Sequence, residues 1–265
     1  MLAGLHHRDG IKVWACLRTQ QMKASLHMSK SGPRDRLRAR YDELWSETIG
    51  RIRAGRVELD PALEVRVPDQ RRGLTVIARP SPAVRQRVAE FLRELRHLEP
   101  DHYYYTAPEF HLTVLSLFTA TVNPEPFFAQ KEHYISAVGS ASQKAAPISI
   151  EFNGVTASPG TVMIQGFFDN DALNDLRDAL RSQLRVRGLA EGVDRRYRLE
   201  FDHMIVARFR APLVESERFA TVLEQARGRS FGVTTVRSLS LVENDWYMSH
   251  RVTETVKRYR LPHSA

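Results

Sequence analysis

The chain has 265 residues, 42% of them hydrophobic, which is enough to bury the core of one large domain or two small ones and rules out disorder as its general state. Lys and Arg number 39 against 31 Asp and Glu, for a formal charge of +8 and a pI near 9.9, a balance that favours phosphate-bearing or polyanionic partners by long-range attraction. The single cysteine, Cys16, excludes an internal disulfide and a cysteine-built zinc site and fits a reducing, cytoplasmic setting, and no stretch approaches the roughly 18 apolar residues of a membrane span.

In chain order, residues 1–31 form a basic leader, nearly free of acid and without helical periodicity. Its "IKVWACLR" run is too short and too charged for a secretory signal, so the stretch reads either as an organellar presequence or, more simply, as residues ahead of a start at Met22 or Met28. A helical extension over 32–71 follows. Pro33 opens it and Gly55 closes its helix, with Leu37, Tyr41, Leu44, Trp45, Ile49 and Ile52 at three-and-four spacing. "GLTVIARP" is then a short buried strand stopped by Pro80. Ser81 caps the next helix, whose inward face carries Val84, Val88, Phe91, Leu92, Leu95 and Leu98.

The strand after it, "EFHLTVLSLF", places His111, Thr113, Leu115 and Leu117 on one side and mainly apolar residues on the other. A strand covered on both faces exposes polar atoms only where its cover ends, so His111 and Thr113 are expected at the mouth of a cleft. A poorly periodic helical stretch over 124–140 and the strand "ISIEFNGVTA" come next. The order then returns: strand "GTVMIQGFF", a helix capped by Asp169 or Asn170 with Leu173, Leu176, Leu180 and Leu184 inward and Gly188 at its end, and the histidine-bearing strand "YRLEFDHMIVARF". His203 and Ile205 share one side of this strand, while Arg208 and Arg210 fall on the other unless the strand twists or ends there. A helix over 214–227 and a strand-rich tail complete the chain. The expected fold is α+β and bilobal, with duplicated halves, two antiparallel-rich sheets flanked by helices, and a central cleft. The lobes fall near 72–157 and 158–265, with strands able to exchange between them.

One histidine per half, each opening an apolar strand, points to a paired site. Breaking or forming a phosphodiester requires one group to take a proton from the nucleophile and another to give one to the leaving oxygen. Histidine, with an ordinary pKa near 6.5, serves either duty. Thr113 would offer its hydroxyl to a phosphoryl oxygen. The other histidines show no ligand spacing with carboxylates, so no metal and no cofactor are expected, and neither a nucleophile elbow nor a phosphate-binding glycine loop is present. Tyr103, Tyr104, Tyr105, Trp246 and Tyr247 are candidates for stacking on a nucleobase. Arg195 and Arg196 would thicken a basic rim.

"FHLTVLSLF" and "FDHMIVARF" resemble the paired His-x-Thr/Ser strands of the two-histidine (2H) phosphoesterase superfamily, which includes 2′-5′ RNA ligase-like proteins and 2′,3′-cyclic nucleotide phosphodiesterases. "SPGTVMIQGFF" and "LSLVENDWYMS" resemble the strands that open and close its second half, so the likeness runs from Arg72 to Leu261. The resemblance implies a duplicated fold with a groove, metal-free catalysis by His111 and His203, and RNA ends or cyclic nucleotides as substrates. Thr113, Ile205, Arg208, Tyr105 and Trp246 are then the expected substrate-binding residues. Ile205 departs from the pattern, standing where the superfamily has a second threonine or serine. A hydrogen bond to a charged group is worth about 1.5–3 kcal/mol, whereas an acid–base group supplies about 100- to 10,000-fold in rate. The loss of one hydroxyl therefore describes an asymmetric, narrowed site in which Ile205 excludes one phosphate orientation or meets a base. Two rival readings stay open, a non-catalytic RNA- or nucleotide-binding protein of the same fold and a 2′-5′ RNA ligase.

Overall fold

A computed structural model describes residues 32–64, 69–194 and 202–262. The leader over 1–31 and the basic pair Arg195 and Arg196 lie outside the described residues. The nine strands of the described residues pair in antiparallel fashion into two sheets. One has the order β3-β1-β8-β9, built from β1 (Arg72–Ala78), β3 (Leu112–Thr121), β8 (Ser238–Asn244) and β9 (Glu254–Arg260). The other has the order β2-β6-β5-β4-β7, from β2 (Tyr103–Tyr104), β4 (Ile148–Ser158), β5 (Thr161–Phe167), β6 (His203–Arg208) and β7 (Ser230–Val236). Within these sheets β4 pairs with β5 and β7, and the C-terminal β8 and β9 complete the sheet of β1 and β3.

Helices cover the sheets through the apolar stripes the sequence shows. The first, α1 (Pro33–Arg53), lies against β4, β5 and a later helix, and it is followed by a single turn, α2 (Pro61–Glu64). In α1 the fully buried positions are Leu37, Tyr41, Thr48 and Ile52, while Leu44, Trp45 and Ile49 are half-buried. In α3 (Pro82–Leu98), Ser81 accepts from the Val84 N–H, and Val84, Val88, Phe91, Leu92 and Leu95 are buried as the spacing predicts. The weakly periodic stretch resolves into two pieces, α4 (Glu125–Phe128) and α5 (Lys131–Ser142). Next, α6 (Ala172–Val186) buries Leu173, Leu176, Leu180 and Leu184, and Gly188 follows it at φ +71°, the left-handed conformation that glycine adopts without strain. The last helix, α7 (Ser216–Gln225), is shorter at both ends than its sequence window. None of the described helices is long and apolar enough to cross a membrane.

Tyr41 shows what α1 does for the rest of the chain. It is fully buried, and its hydroxyl bonds the carbonyls of Gly166 and Asp202 at the point where β5 meets the start of β6. There the Gly166 N–H donates to the Asp202 carbonyl at 2.7 Å, and a Cβ on Gly166 would lie 2.7 Å from that oxygen. Only a glycine lets the two chains come this close. Tyr41→Phe keeps the ring but removes a buried hydroxyl that bonds both strands, and is expected to cost about 1–3 kcal/mol, read as a lower midpoint in urea denaturation.

Candidate active site

The two sheets meet along β3 and β6, the strands that carry the two histidine motifs. Between them opens a cleft of about 190 Å³, lined by Thr75, Thr113 and Asn244 from one sheet and Ile205 and Arg208 from the other. His111, one residue ahead of β3, lines it as well, and Tyr105 and Trp246 complete the wall. His111, Thr113, His203 and Ile205 are all half-buried, as expected for polar groups at the edge of a strand's cover.

The His111 ring is oriented by its own backbone. Its Nδ1 lies 2.7 Å from the Glu109 carbonyl oxygen, which only accepts, so Nδ1 carries the proton and the lone pair is left on Nε2. Glu109 also holds the loop in shape. Its carboxylate accepts from the N–H and hydroxyl of Thr106, at 2.7 and 2.8 Å, and from the N–H of His250 at 3.0 Å. Thus the segment before β3 is tied to the loop after β8. His203 opens β6 opposite Gln165 of β5.

Both imidazoles are held low, at about 4. For His111 the main cause is burial, opposed by the hydrogen bond to Glu109 and reinforced by the charges of Arg79 and Arg208. For His203 it is again burial, followed by the charge of His111 and by Arg177 and Arg208. The charge of His111 thus opposes protonation of His203. A negative charge placed between them reverses the balance, since it offsets the arginines and attracts a proton to one ring while their mutual repulsion excludes a second.

The regular-strand expectation for Arg208 is corrected by the pairing register. Val162 pairs with Ala207 and Met163 with Ile205, so Val206 is skipped, and the extra residue turns Arg208 onto the side of Ile205 and into the cleft. Arg210 instead donates to the Asp101 carbonyl. A similar irregularity on β3 changes another assignment: Leu117 is buried in the core, and Ser116 and Thr119 reach the cleft in its place.

Arg208 is firmly placed. Its Nε donates to the Tyr105 hydroxyl at 2.9 Å, Asp60 lies 3.9 Å away, and its guanidinium stands 5.5 Å over the Tyr247 ring. Tyr247 in turn donates to Asp60 at 2.8 Å. Burial opposes the charge on Arg208, and Tyr105, Asp60 and Tyr247 restore it. The aromatic candidates separate accordingly. Tyr105 is buried and spent on Arg208, while Tyr104 is turned to the core with its hydroxyl on the Glu99 carbonyl. Tyr103 packs on Tyr105 and Tyr247. Trp246 stays half-buried at the cleft with Arg71 stacked over it at 4.5 Å.

Sequence reasoning missed Arg177. It is fully buried on α6, and its Nε donates to the Val114 carbonyl at 2.9 Å, while Nη2 donates to the Thr113 carbonyl at 3.2 Å and to the Asp202 carboxylate at 2.5 Å. One side chain thus binds the strand after His111 to the residue before His203. Burial pushes the Asp202 carboxyl up, against the pull of Arg177. The available signal was positional: Arg177 falls on the same helical face as Leu173, Leu176, Leu180 and Leu184, where an arginine must have buried partners. Asp60, from the extension, carried no comparable signal. Among the described residues no cluster of three or more His, Cys, Asp or Glu could hold a metal ion.

An α+β fold of two antiparallel sheets is the arrangement that the resemblance to the two-histidine phosphoesterases implies, and comparison with solved structures agrees on the fold; of the two histidines, His111 lines the cleft, while His203 is not among its lining residues. The chain is similar to TT0787 of Thermus thermophilus, with 16% identity and a TM-score of 0.56 over 73% of this chain and 100% of that one. It is also similar to Escherichia coli LigT in apo form, with 15% identity and a TM-score of 0.50 over 72% of this chain and 97% of LigT. A structure of LigT complexed with 3′-AMP aligns at 14% identity and a TM-score of 0.49, over 73% and 99% of the two chains. No protein-family model matches the sequence, and no curated protein does.

Two outcomes are expected. Arg177→Ala strands the buried Asp202 carboxylate and should cost about 3–5 kcal/mol in urea denaturation, most of it recovered in the double variant Arg177→Met, Asp202→Leu. NMR titration of the ring protons should find His111 and His203 neutral at pH 6 in the free protein. The unfolded chain takes up those protons near 6.5 and the folded one only near 4. Their contribution to stability is therefore complete above 6.5 and is lost progressively as the pH falls from 6.5 to 4. His102, also held at about 4 by burial, adds to the loss in the same sense.

Proposed function

We propose that the protein is a phosphodiesterase acting on 2′,3′-cyclic phosphate or a related RNA-end linkage, with His111 and His203 as its acid–base pair and no metal required. The observation that supports this reading is the pair itself: His111 lines the cleft with Arg208 and Thr113, and His203, on the neighbouring sheet, is near enough to feel the charge of His111. A cyclic phosphate entering the cleft would bring the negative charge that lets one ring take up a proton. The neutral ring then removes a proton from the attacking water, the new P–O bond forms, and the protonated ring delivers its proton to the departing 2′ or 3′ oxygen. Atoms and charge balance, with the two rings having exchanged roles at the end. A ribose hydroxyl attacking in place of water gives the ligase reading by the same route.

Thr113 and Arg208 would hold the non-bridging phosphoryl oxygens, Arg208 being presented by Tyr105 and Asp60. The cleft is smaller than the roughly 300 Å³ at which pockets begin to enclose whole ligands, which suits a phosphate and its sugar with the base lying against Trp246. Ile205 at the wall is the observation that favours the non-catalytic reading, since it removes a hydroxyl from the phosphate's surroundings.

The deciding experiment offers a panel of 2′,3′-cyclic nucleotides and cyclic-ended oligonucleotides and follows the products by phosphorus NMR. A 2′ or 3′ monoester is expected, with a bell-shaped dependence of rate on pH. His111→Ala and His203→Ala should each lose about 100- to 10,000-fold. Salt-dependent RNA binding without turnover of any of these substrates would replace this reading with the non-catalytic one.

A further inference from the structure

A second cavity, of about 550 Å³, opens beside the first turn of α3 where the chain crosses from β7 to β8. Arg79, Arg85, Arg237 and Arg258 line it together with Ser240 and Thr253, and among the described residues no carboxylate does. Among those residues, too, none of the four arginines forms an ion pair; Arg85 is half-buried, and Arg79, Arg237 and Arg258 are exposed at the cavity's rim. The crowding is electrically visible: burial, then Arg85 and Arg258, push the Arg79 guanidinium down against a smaller pull from Glu109. Arg85 stands in a first helical turn that contains no acidic residue, where the helix dipole adds further positive potential. Two buried polar atoms here have no protein partner, Arg85 Nε and Thr253 Oγ1. Uncompensated guanidinium groups and idle donors around one hollow are the chemistry of an anion site, and arginine matches phosphate oxygens with paired donors.

This cavity and the cleft share a wall. Arg79 donates to the carbonyls of Pro108, at 2.6 Å, and of Phe110, at 3.1 Å, so the segment that lines the cavity at Pro108 ends in the cleft at His111. A strand reacting in the cleft has neighbouring phosphates to place, and the segment from His111 to Pro108 leads from the cleft to the cavity. A mononucleotide cyclic phosphate has only the reacting phosphate and would leave the four arginines unanswered.

We propose that this arginine cavity binds a second, non-reacting phosphodiester of the same nucleic-acid strand, so that the protein selects an oligonucleotide with a cyclic-phosphate end over a mononucleotide. The identity of the strand rests on the function proposed above, but the anion site does not. The test uses the full chain and the double variant Arg85→Gln, Arg258→Gln, whose residues lie outside the cleft. In turnover, kcat/KM for a cyclic-ended tetranucleotide should fall at least ~10-fold more than kcat/KM for a 2′,3′-cyclic mononucleotide. Equal losses, or none, would overturn the proposal.

A binding arm keeps the two ideas separate should no substrate turn over. Fluorescence anisotropy of a labelled tetranucleotide, measured across a salt series, should show weaker binding to the variant. Its log–log salt slope should be shallower by about 0.7 for each phosphate that the variant no longer neutralises. An unchanged slope ends the proposal whatever the fate of the catalytic reading. So does competition by inorganic phosphate alone, or by polyglutamate of matched charge, as effective as that by the oligonucleotide.

Discussion

The site depends on one buried guanidinium. Arg177 reaches from α6 to the carbonyls of Thr113 and Val114 and to the carboxylate of Asp202, and by doing so it holds two strands from two different sheets in a single relation. A charged pair removed from water gains little net stability, because desolvation cancels most of the attraction. Its value here is geometric. Thr113 is two residues past His111 and Asp202 is one residue before His203, so the bonds that satisfy Arg177 also set the spacing of the histidines. Tyr41 adds a second tie at the same place, from a helix that the histidine motifs do not include.

Electrostatics follow from that placement. Burial, with Arg208 nearby, makes the charged form of either imidazole costly, which is why both are held near 4. The cleft in this state is poised to accept negative charge, and it answers a bound anion with proton uptake. The same bias extends to the surface beyond Pro108, where Arg79, Arg85, Arg237 and Arg258 gather without acidic partners among the described residues. The excess of basic residues in the composition is therefore unevenly spent. Many arginines on α1, α6 and α7 are neutralised by nearby acids, such as Arg34 by Glu151, Arg181 by Asp194 and Arg218 by Glu215, while the four that line the second cavity form no ion pair among the described residues.

Small irregularities in the sheets decide which side chains face the cleft. Skipping Val206 in the pairing of β5 with β6 moves Arg208 from one side of its strand to the other, and the irregular pairing of β1 with β3 replaces Leu117 with Ser116 and Thr119. A strand alternates with period two, so a single extra residue reverses every assignment beyond it. Asp60 then reaches Arg208 from the turn of α2, which makes the extension part of the support of the site.

The order of residues was enough to specify most of the helices and strands. The apolar stripes of α3 and α6 are buried as their spacing requires, and the histidines stand at the edges of strands too apolar to hold them further in. Periodicity and local chemistry are properties of neighbours along the chain, so they can be read there. It took the folded chain to settle that β8 and β9 complete the first sheet, that Arg208 turns inward, that Tyr105 is spent on it, and that Arg177 joins the two histidine strands. Each of these is a contact between residues far apart in sequence, created by sheet register and by the need to satisfy a buried charge, and neither leaves a mark on the local pattern of residues.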